Sequence, residues 1–185
     1  MPRIIQKQSD LQEAATHVKY EIDMLVYCAA YVGGWHASPQ TLPDEGGKNM
    51  ALESFLLHYR NLRAFLCPSI QTLTNDDIIA SDFLGASIAK DLGDCNKLGV
   101  DKRRLDGMLS HLTYRRGTYI TGGDQSWNVA GMLVTLFFEL ENFIAGSLPQ
   151  AMKPWFPPVA FFAEQRMRFT ALSPLPAKSS TMTPP

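Results

Sequence analysis

Residues 129–144 read VAGMLVTLFFELENFI, and this stretch is the most apolar in the chain. Its large apolar side chains recur every three or four positions, which places them on one face of a helix. The longest apolar run, residues 129–138, is about half of the ~20 residues that a membrane-spanning helix needs. The pattern therefore predicts a buried helix from about Ser126 to Ala145, and no membrane span. Its predicted core face consists of Val129, Leu133, Leu136, Phe137, Leu140 and Ile144, and Phe138 and Phe143 are expected to widen it.

Two amphipathic helices are predicted before this stretch. Ser9–Gln12 has the form of a capping box, and apolar residues follow it at helical spacing over residues 11–32. This first helix is expected to end at Gly33-Gly34, where glycine permits a left-handed cap. A second helix is predicted over residues 49–66, because its apolar stripe is continuous and Pro68 prevents further extension.

The remaining segments complete the predicted architecture. A short helix should begin near Ile78, after the cap-forming residues 74–77, and further helices are expected over residues 101–117 and 159–169. No strand-like alternation is visible. We therefore predict an all-α protein, an antiparallel bundle of four to five helices in a single domain spanning residues 1–172. Residues 173–185 are mainly Pro, Ser, Thr and Ala and are expected to form a disordered tail.

Charge and cysteine usage restrict the classes of function. Seventeen basic and eighteen acidic residues leave a formal net charge of -1, so nucleic-acid binding would require a local basic patch. Cys28, Cys67 and Cys95 form no C-x-x-C pair, which favours free thiols in a reducing cytosol. The first ten residues contain no apolar signal segment. We therefore expect a cytoplasmic protein that binds no metal and no cofactor.

The predicted helix over residues 101–117 contains the strongest candidate site. Arg104, His111 and Arg115 are seven and then four positions apart, so they align along one side of the helix. Imidazole can transfer protons while guanidinium groups bind phosphate, which is suitable chemistry for a phosphodiester. His111 and Arg104 are the candidate catalytic residues, and Arg115 is a candidate binding residue. The alternative interpretation is structural, with Arg115 complementing the helix dipole and His111 hydrogen-bonded at the core boundary.

The first two predicted helices each contain a histidine that could belong to a site. His58 lies at the margin of the second apolar stripe and is a candidate binding residue that could face His111 across a helix pair. A hydrogen-bonded structural histidine is the alternative. Glu13, His17 and Glu21 follow one another at intervals of four, but no Glu-x-x-His pair accompanies them, which favours a solvated face over a metal site.

Two stretches resemble a group of small bacterial helical proteins without an established activity. They are residues 52–62, LESFLLHYRNL, and residues 111–115, HLTYR. The resemblance implies a cytoplasmic helical bundle. More distantly, Arg104 followed by His111 is similar to the R-x4-6-H motif of the HEPN superfamily, whose helical bundles include dimeric toxin and defence ribonucleases. Leu105 stands where active members commonly carry a polar residue.

Two classes of function follow from these patterns. The first is a HEPN-like protein that binds or cleaves RNA without a metal, using Arg104 and His111 with help from Arg115. The second is a non-catalytic helical module for protein interaction or self-association, such as a homodimer. The aromatic residues between Trp155 and Phe169 indicate a surface for the second class.

Overall fold

Four long α-helices account for most of the residues that the computed structural model describes. The described residues are 4–33, 45–69, 71–86, 88–98, 105, 109 and 127–172, without the side chains of 45, 46, 48, 49 and 172. The helices are α1 (Gln8–Val32), α2 (Glu45–Leu66), α3 (Val129–Asn142) and α4 (Val159–Leu172), and no strand occurs in this part of the chain. Helix α1 packs along α2, α3 packs along α4, and α3 contacts both α1 and α2. The predicted all-α helical bundle is confirmed.

Helix α1 forms where its periodicity predicts it, although both of its ends differ from the prediction. Ser9 does not cap the helix, because its hydroxyl donates to the Asp10 carboxylate. The helix already begins at Gln8, and Lys7 is in the cap position. The helix ends at Gly33, whose φ of -73° is not left-handed, and Gly34, the other glycine of the expected cap, lies outside the described residues. The buried face is nevertheless the predicted one. It contains Leu11, Ala15, Val18, Ile22, Leu25 and Ala29.

Helix α2 begins at Glu45, four residues before the predicted start, and ends at Leu66 as expected. Its apolar stripe faces α1 and the core, which leaves the opposite side of the helix exposed. The buried members of the stripe are Phe55, Leu56, Tyr59, Leu62, Phe65 and Leu66.

Helix α3 is the central helix that the sequence predicts. The Asn128 side chain accepts a hydrogen bond from the Gly131 N–H and thereby caps its first turn. A π-helical turn, Phe143–Ser147, extends it. The whole segment Val129–Ser147 is long and apolar enough to cross a membrane, yet half of it is buried inside the protein, as in the core helix of a soluble bundle. The predicted core face is buried, namely Val129, Leu133, Leu136, Phe137, Leu140 and Ile144, and so is Phe143. Phe138, also expected to widen this face, is 41% exposed, so that part of the prediction is wrong.

Helix α4 docks on α3 through aromatic side chains. Phe162 packs edge-on against Phe137 with ring centroids 5.4 Å apart, and both rings are fully buried. Phe156 and Phe169 are also buried. Three of the five aromatic residues between Trp155 and Phe169 therefore belong to the core, whereas Trp155 and Phe161 are half-buried.

The short helix predicted from Ile78 is a 3-10 helix that begins later, at Ala80–Leu84. The carboxylate of Asp77 accepts hydrogen bonds from the N–H and hydroxyl of Thr74, which closes a turn ahead of it. The Asp82 carboxylate accepts the N–H of Ile79. The Asp77 and Asp82 carboxylates thus provide hydrogen-bond acceptors for nearby backbone N–H groups. These groups would otherwise require the carbonyl acceptors of an α-helix.

A loop over residues 88–98 closes against the C-terminal half of α2. The Leu92 N–H donates to the Leu66 carbonyl, and the Leu98 carbonyl accepts from the Tyr59 hydroxyl and from Arg63 Nε. Burial raises the pKa of Tyr59 to about 12, so this hydroxyl remains a donor at ordinary pH. The N–H of Asp94 donates to the buried carboxylate of Glu139 in α3.

A disulfide between Cys67 and Cys95 joins this loop to the end of α2. The prediction of three free thiols is therefore wrong for these two cysteines, whereas Cys28 is free and buried. Burial also raises the pKa of the Cys28 thiol. The pairing was missed because the two cysteines lie 28 residues apart and meet only when the loop docks.

Two of the predicted segments lie mainly outside the described residues. Only Leu105 and Leu109 are described within residues 101–117; both are helical, and Leu105 is fully buried. Residues 173–185, predicted to form a tail, lie entirely outside the described part.

Candidate functional site on the outer face of α1 and α2

A partly buried polar pair connects α1 to α2. Nδ1 of His58 lies 2.7 Å from Oε2 of Glu21, and the Asn61 amide donates to the same oxygen at 3.2 Å. An ionised carboxylate can only accept, so Nδ1 carries the hydrogen and Nε2 is the nitrogen without a proton in neutral His58. A carboxylate that orients an imidazole in this way is common in acid–base sites.

The position of this pair follows from the two apolar stripes. Glu21 precedes the fully buried Ile22, and His58 precedes the buried Tyr59, so both side chains lie at the boundary of their stripes. The residue His58 is only 7% exposed, and the ring of Tyr20 stands edge-on to it at 5.9 Å. In this arrangement the pair stabilises the contact between the helices.

Exposed apolar side chains flank the pair on the side of the two helices away from the core. Tyr20, Tyr27 and Tyr31 are spaced seven and then four residues apart on α1, and Met50 and Leu57 are seven apart on α2. Tyr20 is 55% exposed, Tyr27 60%, Met50 72% and Leu57 40%. We call these five residues and the half-buried Met24 the outer apolar face. Because the ring of Tyr20 packs against His58, the row on α1 borders the groove that contains the polar pair.

An acidic cavity lies near the beginning of α1. Its volume is about 300 Å³, and Glu13 and His17 of α1 line it together with Asp76 and Asp77. Glu13, His17 and Glu21 therefore do not share one site. Glu13 and His17 line the cavity, whereas Glu21 forms a hydrogen bond with His58 of α2.

A third cluster surrounds the end of α2. The ligand atoms of Cys67, Asp91 and Cys95 lie within 4.8 Å of one another, and within the described residues this is the sole group of three such side chains so close. Asp91 is exposed and Cys95 is half-buried, so the cluster opens to solvent. The prediction of no metal site relied on the absence of C-x-x-C and Glu-x-x-His motifs. Cys67, Asp91 and Cys95 form neither motif, so a search for these motifs does not detect them.

The structure describes one of the four predicted site residues. His58 is bonded to Glu21, a partner 37 positions away. Arg104, His111 and Arg115 lie outside the described residues, so the proposed approach of His111 to His58 stays a prediction. The sequence contained an indication that Glu21 could contact His58, since each of these residues borders the apolar stripe of its helix.

Comparison with protein-family models, with curated proteins and with solved structures found no match for this chain.

Proposed function

We propose that this protein is a helical self-association module, in which the outer apolar face binds the same face of a second copy. The observation that supports the proposal is the exposure of four large side chains, Tyr20, Tyr27, Met50 and Leu57, on one side of a helix pair. Large exposed apolar side chains that recur at helical spacing on neighbouring helices are a feature of interaction sites. Tyrosine is well suited to such a face, because it combines an apolar ring with a hydroxyl that can form hydrogen bonds.

A second copy is the partner that fits this face best. In such a dimer, α1 and α2 of one copy would pack against α1 and α2 of the second copy. The four helices would form a bundle, and each apolar row would pack on an apolar row of the other copy. The exposed residues Lys19 and Asp23 lie beside the tyrosine row and carry opposite charges. A formal net charge of -1 produces little repulsion between copies. The Glu21–His58 pair would then lie beneath the interface and fix the relative position of the two helices.

The test is a change of charge on this face. Tyr27→Glu combined with Leu57→Glu should convert a dimer into a monomer, because two carboxylates in each copy would be buried without partners. Light scattering coupled to size-exclusion chromatography measures the molar mass over a wide range of concentration. Met167→Glu is the matched control, because Met167 is equally apolar and 68% exposed but belongs to α4. A wild-type protein that stays monomeric at high concentration would refute the proposal.

RNA binding or metal-independent RNA cleavage is the second candidate function. It rests on the sequence pattern of Arg104, His111 and Arg115, and one structural observation favours it. Leu105 and Leu109 are helical, and Leu105 is buried, as expected for the helix on which that pattern depends. In a helix of this register, His111 and Arg115 would follow one another along a single side.

The RNA proposal has its own experiment. The protein should bind or cut RNA in the presence of a chelator, and His111→Ala should abolish cleavage without unfolding the chain. Arg104→Ala should weaken binding and reduce its dependence on salt, since one phosphate contact is lost. His17→Ala is the control, because His17 is an exposed histidine of α1. If the wild type neither binds nor cuts a broad panel of RNAs, this function is excluded.

We also propose a cytoplasmic location. Disulfides in that compartment are usually transient or redox-linked, so Cys67 and Cys95 would spend much of their time as thiols there. Fractionation of cells, with the redox state of these two cysteines measured by alkylation, tests this. Recovery in a secreted fraction with a permanent disulfide would contradict it.

A further inference from the structure

The end of α2 brings together two sulfurs and a carboxylate that the self-association proposal does not use. Cys67 directly follows α2, Cys95 belongs to the docked loop, and Asp91 lies in the same loop shortly before Cys95. Their ligand atoms all lie within 4.8 Å of one another. As a disulfide, the two sulfurs have no free thiolate to offer. After reduction, the same three side chains present two thiolates and one carboxylate.

The spacing suits a tetrahedral zinc ion. Zinc–sulfur bonds are about 2.3 Å long, so two sulfurs on one tetrahedral ion stand about 3.8 Å apart. The Cα atoms of Cys67 and Cys95 are 5.8 Å apart. Rotation of the two side chains can therefore separate the sulfurs by the required amount while the backbone stays in place. Zinc accepts sulfur and carboxylate ligands together, whereas calcium and magnesium prefer oxygen alone.

The backbone around the cluster is held by bonds other than the disulfide. The N–H of Leu92 donates to the Leu66 carbonyl at 2.9 Å, and the N–H of Asp94 donates to Glu139 at 3.0 Å. Gly93 sits against Leu66, and an added Cβ there would lie 3.2 Å from the Leu66 side chain. These contacts keep Cys95 near Cys67 when the sulfurs are no longer joined. The reduced site is thus largely preorganised for a metal ion.

The surroundings also suit a cation. The carbonyl oxygen of Gly93 lies 3.6 Å from the Cys67 sulfur and 3.5 Å from the Cys95 sulfur. The partial negative charge of this oxygen is therefore close to both sulfurs. Solvent reaches Asp91 and part of Cys95, which gives an ion an entry path and leaves room for a water ligand.

We infer that Cys67, Cys95 and Asp91 form a redox-controlled zinc site. A dithiol reductant supplies two electrons and two protons, which convert the disulfide to two thiols while the reductant itself becomes a disulfide. Zinc then binds both sulfurs and the Asp91 carboxylate and displaces two protons, and a water molecule completes four ligands. In the reverse step, a disulfide oxidant takes up the two electrons of the thiolates and two protons from solvent and becomes a dithiol, while the Cys67–Cys95 disulfide re-forms and zinc is released. The metal-bound and disulfide forms exclude each other.

Cobalt is the probe for this site, because tetrahedral cobalt bound to thiolates absorbs in the visible and near ultraviolet. The protein is reduced with a phosphine, freed of it without oxygen, and titrated with cobalt and then with zinc. We expect one cobalt ion per reduced chain, loss of the bands when zinc is added, and no bands in the oxidised protein. Asp91→Asn should weaken zinc binding by at least about tenfold, since losing a direct ligand costs no less than losing an outer-shell contact.

Two controls make the result decisive. Cys28→Ala removes the buried free thiol and should bind cobalt as the wild type does. Cys67→Ser and Cys95→Ser should each abolish the bands, and circular dichroism shows whether they remain folded. Asp91 is exposed, so Asp91→Asn stays informative even if the cysteine variants unfold. A reduced, folded wild type without thiolate–cobalt bands, or an Asp91→Asn variant that binds zinc as tightly as the wild type, would overturn the inference.

Discussion

The pair α3–α4 and the pair α1–α2 place their aromatic side chains in opposite directions. In α3 and α4, Phe137, Phe162 and Phe169 point into the core and are fully buried. In α1, Tyr20 and Tyr27 stand on the side away from the core and are more than half exposed. The polar pair Glu21–His58 belongs to the second region. Aromatic content alone therefore does not identify an interaction surface, whereas the position of a ring relative to its helix's apolar stripe does.

The largest expected effect lies in the buried aromatic region. Phe162→Ala should lower the free energy of unfolding by about 3–5 kcal/mol, because it removes a fully buried ring from contact with Phe137 and leaves a cavity. Chemical denaturation measures the loss. Phe138→Ala is the control, since Phe138 is 41% exposed on the same helix pair and should cost much less. Equal losses for both variants would mean that α4 does not dock through Phe162.

Removing the disulfide should have the next largest effect. The double variant Cys67→Ser, Cys95→Ser should lose about 3–4 kcal/mol relative to the oxidised wild type, because a bridge over 28 residues restricts the unfolded chain by about that amount. Denaturation with and without a reductant measures this difference. The reductant should not affect the double variant. A wild type equally stable in both conditions would show that the bridge contributes nothing.

Breaking the polar pair should have an intermediate effect in the α1–α2 region. Glu21→Ala should cost about 1–3 kcal/mol, because it leaves the buried Nδ1–H of His58 without an acceptor. Glu13→Ala is the matched control on the same helix, where the side chain is exposed. Denaturation of both variants at neutral pH provides the comparison. If Glu21→Ala is as stable as Glu13→Ala, the pair does not hold the helices together.

Periodicity predicted most of the fold because burial of one helix face is a local property of the sequence. It identified most of the core faces of α1 and α3, but it missed the buried Cys28 and placed the exposed Phe138 in the core. It could not predict that Glu21 meets His58, because that contact depends on how α1 and α2 rotate against each other. The disulfide between Cys67 and Cys95 was missed for a related reason, since it requires the docking of a loop through backbone hydrogen bonds that carry no side-chain signal.

Composition alone could not show which aromatic residues between Trp155 and Phe169 belong to the core, because it does not show the direction of a side chain. Phe162 and Phe169 are seven residues apart and form one face of α4, and that face could equally have met solvent or core. Four prolines precede the helix and obscure where its register begins. The candidate residues Arg104, His111 and Arg115 remain predictions from spacing, with Leu105 as their structural support.

The smallest effect on stability is expected at Tyr27, the counterpart of Phe162 in the other region. Tyr27→Ala should change the unfolding free energy of the dilute protein by less than about 0.5 kcal/mol, because the ring is 60% exposed and alanine suits a helix. Sedimentation velocity on the same samples should show weaker association at high concentration. An unchanged monomer together with a weakened dimer assigns Tyr27 to the interface. A loss above about 1 kcal/mol in the dilute protein would instead make Tyr27 part of the monomer's own packing, and the contrast between the two regions would fail at that residue.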